Sequence, residues 1–166
     1  MRSLDADAER AVGALYATSY RRLVGVVGAV GGDRQEAEEA VQDAFVRLLD
    51  RWSQVSRYDD PEAWVRKVAL GKLSNRRRKL RNGRAAVRRH GPAPDVPAPS
   101  GDAVDLRRAL AALPPAQRAV VVLQDLGLSV EAIADELGVP VGTVKSRLSR
   151  ARAALAPLLR EVDEHV

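Results

Sequence analysis

Apolar residues in this chain recur every three or four positions, and no stretch alternates with the two-residue rhythm of a strand. Leu15, Leu23, Val26, Val27 and Val30 share one side of a long first helix, which Gly31-Gly32 should end. Asp33 is placed to cap the next helix, with Glu36 three residues on, an aspartate version of the capping box. Val41, Phe45, Leu48, Leu49 and Trp52 form its apolar stripe. The run SQVSRYDD, residues 53–60, is expected as a loop, and Asp60-Pro61 restarts a helix as a cap followed by proline in first position. The apolar side of this third helix is Trp64, Val65, Val68, Ala69 and Leu73, a spacing that favours the core for Trp64 over a role as a wedge into a duplex.

Residues 91–100, GPAPDVPAPS, carry four prolines and cannot hold a helix. The chain is therefore expected to divide into a domain at 1–90, a linker at 91–104 and a second domain at 105–166. A weak helix from Asp105 to Leu113 is followed by Pro114-Pro115 and a helix through Val120, Val121 and Leu123. Ser129 can cap a short helix that turns Ile133, Ala134 and Leu137 inward. Gly138 permits a sharp turn, and Pro140 stands where another helix can begin. The expected fold is all-α: two small helical domains joined by a proline-rich linker, the second a helix-turn-helix.

Composition narrows the chemistry. Phe, Tyr and Trp total six in 166 residues, so the core rests on Leu, Val and Ala. The absence of Cys excludes disulfides, thiolate metal sites and a Cys nucleophile. The two histidines, His90 and His165, stand beside the linker and at the C-terminus, and no carboxylate pair, glycine-rich phosphate loop or metal-ligand spacing occurs. Neither catalysis, nor a cofactor, nor a metal is expected. The start, MRSLDADAER, has acids where a signal peptide needs a basic end, and the apolar run LVGVVGAV is too short to span a bilayer. A cytoplasmic protein without membrane insertion is expected.

Charge is unevenly spread. Residues 1–62 hold 8 Lys/Arg against 12 Asp/Glu, residues 63–90 hold 11 against none, and residues 91–166 hold 8 against 10. Such concentration marks a surface for a polyanion. A second basic stretch, GTVKSRLSRAR at 142–152, carries four cations and three hydroxyls. On a helix over 140–155, Val144, Leu148, Ala151 and Leu155 form one narrow stripe. Gly142, Lys145, Ser146, Ser149 and Arg150 lie opposite, and Arg147 and Arg152 lie on the flanks. A short helix, a tight turn and a second helix with such an outer face can enter the DNA major groove, where Arg, Lys and Ser reach base edges.

From LPPAQRAVVVLQDLGLSVEAIADELGVPVGTVKSRLSRARAAL the second half closely resembles the C-terminal DNA-binding domain of bacterial sigma factors of the extracytoplasmic-function (ECF) group. Shorter relatives of this motif occur in LuxR-type regulators. A stand-alone helix-turn-helix transcriptional regulator is therefore the alternative. In the first half, AEEAVQDAFVRLLDRW looks like the family's polymerase-binding helix, and PEAWVRKVALGKLSNRRRKLR resembles the helix that engages the promoter's minus-10 element. The resemblance implies that core RNA polymerase, through its clamp, and promoter DNA are partners, and that the linker threads through polymerase. Many relatives are held inactive by an anti-sigma protein.

The resemblance also implies site residues. Polymerase binding would fall to Glu39, Gln42, Asp43 and Arg47. Capture of the minus-10 element would fall to Trp52, Tyr58, Arg66, Lys67, Lys72, Asn75, Arg76 and Arg77. Arg76 to Lys79 are consecutive and point all round a helix, so most would meet phosphates. Reading of the minus-35 element would fall to Thr143, Lys145, Ser146, Arg147, Ser149, Arg150 and Arg152. Two departures stand out. Asp43 replaces the family's usual Glu, and Ala132 replaces a Glu that would complete the cap with Ser129, which weakens that helix start by about 0.5–1 kcal/mol.

Overall fold

A glycine pair and a proline punctuate the first part of the chain, and the helices between them follow from where the apolar stripes run. The structure, a computed structural model, describes residues 6–82 and 101–163. Among them are seven α-helices and no strand. They fall into two units, α1–α3 and α4–α7. His90, His165 and the linker up to Ser100 lie outside the described residues.

In the first unit, α1 (Ala6–Gly31) buries Val12, Leu23, Val24, Val27 and Val30. Leu15 and Val26 of the expected stripe are half-buried. Ser19 is also buried on this face, and its hydroxyl donates to the Leu15 carbonyl at 2.6 Å. The helix ends where Gly32 takes φ of 78°, a left-handed conformation that a side chain would strain. Asp33 then caps α2 (Arg34–Val55), its carboxylate accepting the Glu36 N–H at 2.8 Å.

α2 runs three residues into the expected loop, because Val55 continues the apolar repeat and is buried. The loop shortens to residues 56–60. Leu49 and Trp52, expected inside, are half-buried. Asp60 caps α3 (Pro61–Asn82) by accepting the Ala63 N–H at 3.0 Å. α3 packs on both other helices, burying Val65, Ala69, Leu70 and Leu73. Trp64 is not a core residue: it is half-buried and lines a groove between α2 and α3. A large ring at the edge of the stripe satisfies helical periodicity whether it faces the core or the rim beside it.

In the second unit, α4 (Gly101–Ala112) begins four residues earlier than expected, inside the expected linker. The prolines stop at Pro99, so nothing bars a helix from Gly101 onward. Pro114 occupies the cap and Pro115 the first position of α5 (Pro115–Asp125), which buries Ala119, Val120 and Leu123. Val121 is half-buried. Ser129 caps α6 (Val130–Leu137), accepting the Ala132 N–H at 3.1 Å. Ile133 and Ala134 are buried, and Leu137 is half-buried.

The turn after α6 is closed by two backbone bonds, Val139 N–H to the Ala134 carbonyl at 3.0 Å and Gly138 N–H to that of Asp135 at 3.3 Å. This is the Schellman pattern, and Gly138 at φ 65° supplies its left-handed residue. α7 (Val141–Asp163) packs Val144, Leu148 and Ala151 against α5 and α6, with Leu155 half-buried. It continues through Pro157. Pro157 lacks the N–H that the Ala153 carbonyl would accept, but both residues are exposed and water can replace it.

Full burial of a Leu or Val contributes about 1.5–3 kcal/mol, against about 0.2–1 kcal/mol for an exposed ion pair. The apolar seams therefore hold each unit, and the exposed ion pairs add little to its stability. No helix among the described residues is long and apolar enough to cross a membrane, and no cluster of three or more metal-ligating side chains occurs among them.

Candidate nucleic-acid and protein interfaces

Gln42 and Asp43 are adjacent on the exposed side of α2, yet they turn to different neighbours. The Gln42 amide donates to the Tyr20 hydroxyl of α1 at 3.3 Å, whereas the Asp43 carboxylate pairs with the Lys72 ammonium of α3. One turn back, Glu39 accepts from the Arg76 guanidinium at 2.9 Å, and Glu36 stands 3.8 Å from the same group. The hydrogen bond it donates to Glu39 and then the charge of Glu36 hold the Arg76 guanidinium above its ordinary pKa, against partial desolvation.

Acids expected to face polymerase and cations expected to face DNA are thus brought together along one seam. It borders an open groove of about 770 Å3 that Arg47, Trp64, Lys67 and Asn75 also line.

The other expected minus-10 residues are distributed differently. Arg77 is half-buried and donates to the Gly31 carbonyl, placing a cation at the C-terminal end of α1, where the helix dipole favours it. Its first task is to fasten α3 to α1. Asn75 accepts from Arg78 at 3.2 Å. Arg66 is half-buried and Lys67 exposed. Trp52 sits half-buried on the last turns of α2, and Tyr58 projects from the loop with 41% of its surface exposed.

Four features of this unit were not expected. Val46, 61% exposed, stands one turn from Gln42 on the same face, an apolar residue with no place in the buried stripe. That mismatch was readable in the sequence. Tyr16 and Tyr20 stack at 4.6 Å beside Phe45, and Glu36 joins the ion pairs. The Arg22 guanidinium meets both oxygens of Glu62, at 2.9 and 2.5 Å, tying α1 to the first turn of α3 just after the loop. These last contacts span 40 residues in the chain, and no local pattern announces them.

In the second unit, Lys145, Ser146, Ser149 and Arg150 are all exposed on the side of α7 away from its buried stripe. The Ser146 hydroxyl donates to the Thr143 carbonyl at 3.0 Å, which leaves its oxygen able to accept as well. Thr143 and Arg147 are half-buried. Arg152 is exposed but tethered, donating to the Gln124 side chain of α5 at 3.1 Å. The outer face and the flanks therefore differ as the helical wheel implies. No acid occurs from residue 137 to 160, so this face is uniformly cationic and hydroxylic.

Comparison with known proteins fits this division. Residues 15–83 match the model of sigma-70 region 2, and residues 103–155 match that of sigma-70 region 4. The chain is 34% identical over 148 residues to the ECF RNA polymerase sigma factor SigM of Mycobacterium tuberculosis, covering 87% of this chain and 75% of that protein. It is also 34% identical over 140 residues to the RNA polymerase sigma-E factor of Streptomyces coelicolor, covering 82% and 75%. In fold it is similar to the sigma factor RpoE of Bartonella quintana, solved with the anti-sigma factor NepR, at a TM-score of 0.69 and 24% identity over 89% of this chain and 96% of that one. With both regions present in order and that likeness across most of its length, the chain belongs to the ECF group of RNA polymerase sigma factors.

Proposed function

We propose a division of labour for this sigma factor, which directs RNA polymerase core to promoters and helps to open them. The first unit, within residues 1–90, binds the polymerase clamp through α2 and captures the minus-10 element through α3 and the 56–60 loop. The second, within 105–166, reads the minus-35 element in the duplex major groove through α7. The observation that carries this reading is the outer face of α7, where Lys145, Ser149 and Arg150 stand exposed opposite a buried stripe.

On α2, Glu39, Gln42, Asp43 and Arg47 supply the polar part of the clamp contact, and Val46 adds an apolar knob of the kind interfaces bury at their centre. On the DNA side, Lys72, Arg76, Arg66 and Lys67 meet backbone phosphates, and Asn75 can read an exposed base edge. Tyr58 is open enough to stack on an unpaired base, and the half-buried Trp52 on the last turns of α2 is a second ring for the same role.

Core polymerase and promoter DNA are the partners, and an anti-sigma protein is a further one, as the Bartonella quintana relative was solved in complex with the anti-sigma factor NepR. The protein acts as an initiation factor in the cytoplasm, without catalysis or cofactor of its own. A stand-alone LuxR-like regulator is not favoured, because it has no use for the region 2 fold at residues 15–83. Run-off transcription with core polymerase on a promoter library tests the reading. Sequence-selective transcripts are expected, and a chain that neither binds core nor yields transcripts overturns it.

A further inference from the structure

The ion pairs between α2 and α3 join residues assigned to two different partners, and that juxtaposition has a thermodynamic consequence. Asp43 is held by Lys72, and Glu39 and Glu36 by Arg76. All five side chains keep contact with solvent, from 27% exposed for Lys72 to 59% for Asp43. Pairs this open are weak and can exchange partners without a large desolvation cost, unlike a buried pair, which would be locked. While they persist, three acids neutralise two cations within a Debye length, so the seam offers an approaching phosphate backbone little attraction.

We propose that this seam couples the two binding events. A basic polymerase surface that takes Glu36, Glu39 and Asp43 releases Lys72 and Arg76 for the phosphates of the minus-10 strand. Strand capture in turn frees the acids for polymerase. Coupling of this kind is reciprocal by necessity. The proposal rests on the reading that the α2 acids face polymerase. It assigns to Glu36 a role in binding, and to Lys72 and Arg76 a second role as internal stand-ins for the polymerase surface.

The test uses the full chain and a fluorescein-labelled single-stranded oligonucleotide of random sequence, at low salt, in a double-mutant cycle. Glu36→Gln, Glu39→Gln and Asp43→Asn together should tighten oligonucleotide binding by roughly three- to tenfold. In a Lys72→Gln, Arg76→Gln background the same three changes should tighten it by less than about twofold, because the cations they unmask are gone. Equal tightening in both backgrounds means a bulk charge effect, and no tightening in either means no masking; each overturns the coupling.

A separate arm measures affinity for core polymerase, which the triple change must weaken. If it does not, the assignment of α2 to polymerase fails, whichever way the oligonucleotide cycle came out. Should the triple variant fail to fold, Asp43→Asn with Lys72→Gln repeats the cycle at smaller amplitude.

Discussion

Replacing Arg150 and Arg152 one at a time separates reading from gripping on α7. Arg150 is exposed on the outer face, about 130° round the helix from the centre of the buried stripe at Val144, Leu148 and Ala151. Arg152 lies about 70° from that centre, on the flank, and is tethered to Gln124 at 3.1 Å. Arg150→Ala should remove a base-edge contact, costing about 1–3 kcal/mol, or roughly five- to 150-fold, at one promoter position while leaving others alone. Arg152→Ala should remove a phosphate contact, weakening all promoters alike and lowering the slope of log affinity against log salt by about 0.9.

The second change also costs an exposed hydrogen bond, worth at most about 1 kcal/mol of stability, so thermal melting of both variants must accompany the assay. Selection of minus-35 sequences by each reconstituted holoenzyme provides the readout. If Arg152→Ala shifts the preferred sequence and Arg150→Ala does not, α7 sits rotated from the orientation its buried stripe implies.

Other expectations are simpler. Asp43→Lys places a cation beside Lys72 and opposite a basic partner surface, so core polymerase binding should fall at least tenfold by co-sedimentation while the unfolding midpoint barely moves. Gly138→Ala meets no atom within 4 Å, so its cost is conformational alone: about 1–2 kcal/mol of the second unit's stability in urea unfolding. Ser19→Ala should change stability by less than about 1 kcal/mol, because the Leu15 carbonyl keeps its helical N–H when the buried hydroxyl is lost. A loss of several kcal/mol would mean that Ser19 supports more than its own turn.

Local chemistry was legible wherever a few neighbouring residues decide the outcome. Asp33, Asp60 and Ser129 cap the helices their positions announce, and Gly32 and Gly138 take the left-handed backbone that ends a helix. The buried stripe of α7 and its exposed basic face followed from angle alone. Periodicity was weaker at stripe edges. Trp64, Trp52 and Leu49 have the right phase but meet solvent, because phase does not say how wide the neighbouring helix is.

Side-chain partners across helices were not legible at all. Eleven cations without an acid at 63–90 read as one field offered to DNA. Folding returns Lys72 and Arg76 to the acids of α2, and Arg77 to the end of α1.

The turn between α6 and α7 has a bearing on how the motif meets its target. Its two nested backbone bonds, together with the packing of α6 on α7, leave the pair of helices with little hinge freedom of their own. Association with DNA through the outer face, as proposed, should then freeze few torsions and carry a small ordering penalty. Calorimetry of the second unit with duplex DNA should accordingly give a heat-capacity change no larger than the buried surface accounts for. It should lack the excess that marks a segment folding as it binds.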